Sequence, residues 1–90
     1  MRYMVIETFA PGMRPLVYER FQQKGRMLPD GLHYIDSWVE MNGDRCFQLM
    51  ETSRYELFQD WVRAWEDLVS FEIVELEPKK ETPAQASIST

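Results

Sequence analysis

Along this chain apolar and polar positions alternate in some stretches and recur every three or four residues in others. The two periods divide it into strands and helices. Residues 2–9, Arg-Tyr-Met-Val-Ile-Glu-Thr-Phe, are rich in β-branched and aromatic types and predict a first strand. Ala10-Pro11-Gly12 breaks it, and a helix is expected from Met13 or Arg14 to Lys24. Pro15 suits a first helical turn, and Leu16, Val17 and Phe21 define one apolar side. Gly25 is a stop, and Pro29-Asp30-Gly31 forces a turn.

Leu32–Met41 predicts a second strand and Asp44–Glu51 a third, joined by Asn42-Gly43. That pair favours a two-residue type I′ hairpin, whose central positions both need positive φ. The register that follows sets Glu40 opposite Arg45, Trp38 opposite Phe47 and Ser37 opposite Gln48. An ion pair and an aromatic pair each support it. Ser53 with Glu56 reads as a capping box opening a helix to about Leu68, with Phe58, Trp61, Val62, Trp65 and Leu68 on one face. Phe71–Leu76 predicts a fourth strand, and residues 77–90 read as a flexible polar tail. The order β-α-β-β-α-β over residues 1–76 is the α+β, ferredoxin-like pattern: a four-stranded antiparallel sheet with two helices on one face.

The hairpin register sorts the middle strands into two faces. Tyr34, Asp36, Trp38, Phe47, Leu49 and Glu51 share one; His33, Ile35, Ser37, Val39, Cys46, Gln48 and Met50 share the other. Neither face is polar, and two helices cover only one. A chain this small also has little core of its own. Both points predict a homodimer packed through the sheet face away from the helices.

Composition removes several function classes. The chain is 44% hydrophobic and 13% aromatic, a globular rather than a disordered composition. The net charge of −5 falls wholly within residues 1–76 and argues against nucleic acid as partner. Arg14, Arg20, Lys24 and Arg26 lie close together, and read as a solvated helix face. The longest hydrophobic run is Tyr3–Ile6, so no membrane span and no secretory signal is expected, and the setting is cytoplasmic. One cysteine, Cys46, and one histidine, His33, give neither a disulfide framework nor a metal motif. No cofactor is expected, since the glycines at 12, 25, 31 and 43 form no phosphate loop. The third strand, Arg-Cys-Phe-Gln-Leu-Met-Glu, lacks the stacking motif of the RNA-recognition domains that share this topology.

The runs Tyr18-Glu-Arg-Phe, Gly25-Arg-Met-Leu-Pro-Asp-Gly, Tyr34-Ile-Asp-Ser-Trp-Val and Asp44-Arg-Cys-Phe-Gln-Leu-Met-Glu-Thr resemble a family of short bacterial proteins described only as a domain of unknown function. The family is similar to the dimeric α/β-barrel group. That group includes cofactor-free monooxygenases, muconolactone isomerases and stress-responsive barrel proteins. The resemblance implies a fold and a dimer. It implies no reaction and no site residues.

The candidate chemistry is correspondingly sparse. His33 reads as a surface residue at a strand start, and Cys46 as a packed small hydrophobe. Ser37 and Gln48 form a polar pair on an aliphatic face, bonded to each other or across a dimer axis, or orienting a ligand. Glu7 and Asp36 are carboxylates in strands expected to be buried, with Asp36 the better acid–base candidate because it lies between Tyr34 and Trp38. A pocket is expected where the Gly25–Gly31 segment meets Tyr34, Asp36 and Trp38, with Arg26 supplying a planar donor fork and Met27 and Leu28 closing over it or plugging the core. The reading is a small-molecule-binding or interaction module. The alternative is a cofactor-free enzyme, of isomerase or monooxygenase type, acting on a small apolar or aromatic substrate.

Overall fold

The computed structural model describes residues 1–78, so the expected tail lies, beyond Pro78, outside the described residues. The elements are β1 (Arg2–Phe9), α1 (Arg14–Lys24), β2 (His33–Val39), β3 (Arg45–Glu51), α2 (Leu57–Arg63) and β4 (Val69–Leu76). The strands form one sheet in the order β2-β3-β1-β4 with every pairing antiparallel, a ferredoxin-like arrangement. No helix among the described residues is long and apolar enough to cross a membrane.

Period-two alternation on β1 turns Tyr3, Val5, Glu7 and Phe9 inward, all of them buried. Opposite them on β3, Cys46, Gln48 and Met50 face the same side. The stripe of α2 covers this face. Phe58, Trp61, Trp65 and Leu68 are buried at the expected helical spacing, and Tyr3, Phe58, Trp61 and Phe71 form a chain of tilted and edge-on ring contacts. The other side of α1 departs from expectation: only Val17 is buried, while Leu16 and Phe21 are exposed. Phe21 borders a cavity rather than a packed wall.

The hairpin keeps its predicted register, with Trp38 opposite Phe47, Ser37 opposite Gln48, and Glu40 bridged to Arg45 at 2.7 Å. Its turn differs. Residues 41–44 form the loop, closed by the Glu40 N–H donating to the Arg45 carbonyl, and only Asn42 has positive φ. Adding one residue to each side of the expected loop leaves the pairs from Asp36–Leu49 to Val39–Cys46 unchanged. The Gly43 carbonyl is held by Arg14 Nη1 at 3.0 Å, a long-range tie that local turn chemistry does not include.

Two further corrections are local. Ile35 is an extra residue in β2: Tyr34 pairs with Met50, but Asp36 pairs with Leu49. Below this bulge the strand faces invert. Tyr34 joins the helix side, and exposed His33 sits opposite Glu51. The second helix is capped differently as well. No side chain caps α2, and the buried Thr52 hydroxyl accepts the Arg54 N–H at 3.0 Å, while Glu56 pairs with Arg54. Tight turns lead into α2 and carry the chain on to Leu68 after Arg63. Ser53→Ala is therefore expected to change stability by less than about 0.5 kcal/mol. Thr52→Ala should cost about 1–2 kcal/mol through its lost buried hydrogen bond. Urea unfolding of both variants checks the order; a larger loss at Ser53 would restore the capping box.

Candidate functional site

A cavity of about 220 Å³, partly open to solvent, lies between α1 and the inner sheet face. Its walls are apolar and aromatic: Phe9 from β1, Val17, Tyr18 and Phe21 from α1, and Trp61 and Trp65 on the α2 side. Its polar groups are few and converge. Glu7, Ser37, Gln48 and Arg26 line it together with Cys46.

These groups form a chain of contacts. Gln48 Nε2 donates to Glu7 Oε2. Gln48 Oε1 accepts from Arg26 Nε at 3.4 Å. The Arg26 guanidinium carbon stands 3.5 Å over the Tyr34 ring and 5.0 Å from the centre of Phe21. The Tyr34 hydroxyl meets Ser37 Oγ at 2.7 Å. The bulge at Ile35 makes this possible, because it brings Tyr34 to the same side as Ser37.

Arg26 is held by its backbone. Its carbonyl accepts Trp61 Nε1 at 2.9 Å and Trp65 Nε1 at 3.0 Å. A buried indole N–H needs an acceptor, and both find the same one. The next residue, Met27, has φ 58°, and Met27 and Leu28 pack against the core. So the Gly25–Gly31 segment is pinned at Arg26.

Glu7 is 7% exposed, and burial pushes its carboxyl up to about 7, against the opposing pull of the Gln48 hydrogen bond and the Arg26 charge. Its charge therefore changes near neutral pH. The same burial, with Glu7 nearby, pushes the Cys46 thiol up to about 11, so at neutral pH it is a thiol and not a nucleophilic thiolate. Among the described residues no three His, Cys, Asp or Glu side chains gather as a metal site.

The family profile described as "Domain of unknown function (DUF3303)" matches residues 1–82. The chain belongs to this family. No match was found among the curated proteins or among the solved structures.

Within this DUF3303 domain, the expected site residues divide. Arg26, Ser37 and Gln48 line the cavity, and Tyr34 stands behind Arg26. Ser37 and Gln48 do not bond to each other; each has another partner on the helix side. Asp36 and Trp38 lie on the opposite face of the sheet, exposed, with Asp36 Oδ1 accepting the Ser37 N–H. Of the two carboxylates expected to be buried, only Glu7 is. The sequence did hold the missing signal: Glu7 is the lone polar member of the stripe Tyr3, Val5, Glu7, Phe9.

Proposed function

We propose that the protein binds a small apolar or aromatic molecule in this cavity, as a homodimer joined through the outer sheet face. The observation that carries the first part is Glu7. An apolar side chain at that position would pack against the same neighbours without the cost of burying a carboxyl. A carboxyl kept there, beside an open cavity and tied to Gln48, suits recognition better than stability. The cavity is smaller than the roughly 300–1,000 Å³ of drug-sized sites, which points to a ligand of one ring or a short branched chain.

The dimer rests on the other face. Met4, Ile6, Phe47 and Leu49 are half-buried there and Trp38 is 52% exposed. Ion pairs Arg2–Glu51 and Arg45–Glu40 stand at the rim of this apolar centre, a self-complementary pattern for a second copy. The resemblance to the dimeric α/β-barrel group adds to it, and the reading includes a cytoplasmic location.

Trp61 and Trp65 report on occupancy. Titrating single-ring aromatic molecules should give a saturable fluorescence change that Val17→Phe, which fills the cavity, abolishes. An unchanged response in Val17→Phe would move binding elsewhere. Light scattering should give twice the 10.8 kDa chain mass, and Trp38→Glu should halve it. A monomer mass for the parent protein would remove the dimer.

A second reading is favoured by the same carboxyl. A group that changes charge near neutral pH suits general acid–base work, so the ligand is the substrate of a cofactor-free reaction of isomerase or monooxygenase type. Turnover lost in Glu7→Gln with binding retained would select this reading.

A further inference from the structure

The cavity holds a single cation, and that cation is underused. Among the described residues Arg26 makes no ion pair, and its one side-chain hydrogen bond is the long contact from Nε to Gln48. Neither Nη nitrogen donates to a described residue, and neither is a buried atom without a partner, so both are open to solvent on a residue that lines the cavity. The guanidinium plane is clamped by Tyr34 and Phe21, and its carbonyl by two indoles. A fixed, planar, always-charged donor fork at the edge of an aromatic cavity matches a carboxylate.

We propose that the cavity selects a small aromatic or apolar monoanion, a carboxylate, which Arg26 binds, and that Glu7 takes up one proton from solvent as the anion enters. The inference rests on the cavity being a ligand site, and adds the ligand's charge and its coupling to protons.

The coupling follows from the groups that line the cavity with Glu7 and pair with it across the sheet. Arg26 comes from the α1–β2 connection, Cys46 and Gln48 from β3, Tyr18 from α1, and only Trp61 and Trp65 from the α2 side; β4 sets Phe71 opposite. Arg26 is the one cation among them. An ionised Glu7 already neutralises it through space, so an entering anion would leave two negative charges against one positive. A protonated Glu7 leaves Arg26 to the anion and offers an O–H donor of its own. Since burial already holds the Glu7 carboxyl near neutrality, little further shift is needed for it to stay protonated with the anion bound. Anion affinity should therefore be greatest below about pH 7 and fall, by up to about tenfold per pH unit, above it.

Benzoate and benzyl alcohol, nearly equal in shape and different in charge, are the probes. Calorimetry on the full chain should find benzoate at least about tenfold tighter than benzyl alcohol near pH 6, with that advantage lost by about pH 8.5. Glu7→Gln should keep benzoate binding and flatten its pH profile. Arg26→Ala should remove the preference for benzoate; if that variant does not fold, the probe ratio and the Glu7→Gln profile still decide. Benzyl alcohol binding as tightly as benzoate would overturn the anion assignment while leaving the cavity a ligand site. A benzoate affinity independent of pH would overturn the proton uptake. Neither probe binding at millimolar concentration would overturn both this inference and the reading beneath it.

Discussion

Replacing Glu7 with glutamine is expected to stabilise the protein by about 3 kcal/mol near pH 8 and by almost nothing near pH 4. Burial raises the folded-state carboxyl from 4.5 to about 7, so the folded chain holds this proton more tightly than the unfolded chain does. Stability from this group is complete below about pH 4.5. It is lost as pH rises through the interval to about 7, and the loss is constant above that. Glutamine does not titrate, and its carbonyl can accept the bond that Gln48 now donates to Glu7. Subtracting the two urea-unfolding profiles removes the groups common to both proteins. A difference that grows between about pH 4.5 and pH 7 is the expected result. A Glu7→Gln variant no more stable than its parent near pH 8 would mean that the carboxyl is not desolvated.

The second large effect is expected at Trp61, which is 1% exposed. Trp61→Ala should cost about 3–5 kcal/mol through the cavity it leaves. That is comparable to the whole stability of a small domain, so partial unfolding at room temperature is the expected outcome. Trp61→Phe separates the two roles of the indole. It keeps most of the apolar volume and removes one of the two N–H donors on the Arg26 carbonyl, leaving Trp65 as the other. A loss of about 1–2 kcal/mol is expected by urea denaturation, with weaker ligand binding because Arg26 is less firmly placed. A Trp61→Phe variant that binds as the parent does would show that the second indole alone positions Arg26.

The fold was readable because its signals are local and agree with one another. Alternation along Tyr3–Phe9, the spacing of Phe58, Trp61, Trp65 and Leu68, and the Trp38–Phe47 and Glu40–Arg45 pairs all point to one arrangement. What failed depended on distant partners or on a single irregular residue. Arg14 fixes the Gly43 carbonyl across the fold, so the turn is not the one Asn42-Gly43 prefers alone. Ile35 has nothing in its sequence surroundings to mark a bulge, yet it moves Tyr34 from the outer face to the cavity side. That one residue split the expected Tyr34–Asp36–Trp38 group. Arg26 was legible as a cavity-lining residue by its chemistry, but its anchoring by two indoles, one in α2 and one just after it, was not. Glu7 and Asp36 are both carboxylates within strands; the apolar stripe around Glu7 marks it as the inward one, and the position of the helices leaves Asp36 outside.

The site turns on one property, a buried carboxyl at the cavity whose charge changes at neutral pH. Carbon-13 NMR of the Glu7 side-chain carboxyl, followed through a pH titration and assigned by comparison with Glu7→Gln, measures it directly. The expected midpoint is about 7, displaced by burial. A midpoint at the ordinary glutamate value of 4.5 would place Glu7 in contact with water and remove the basis for both the ligand site and its coupling to protons.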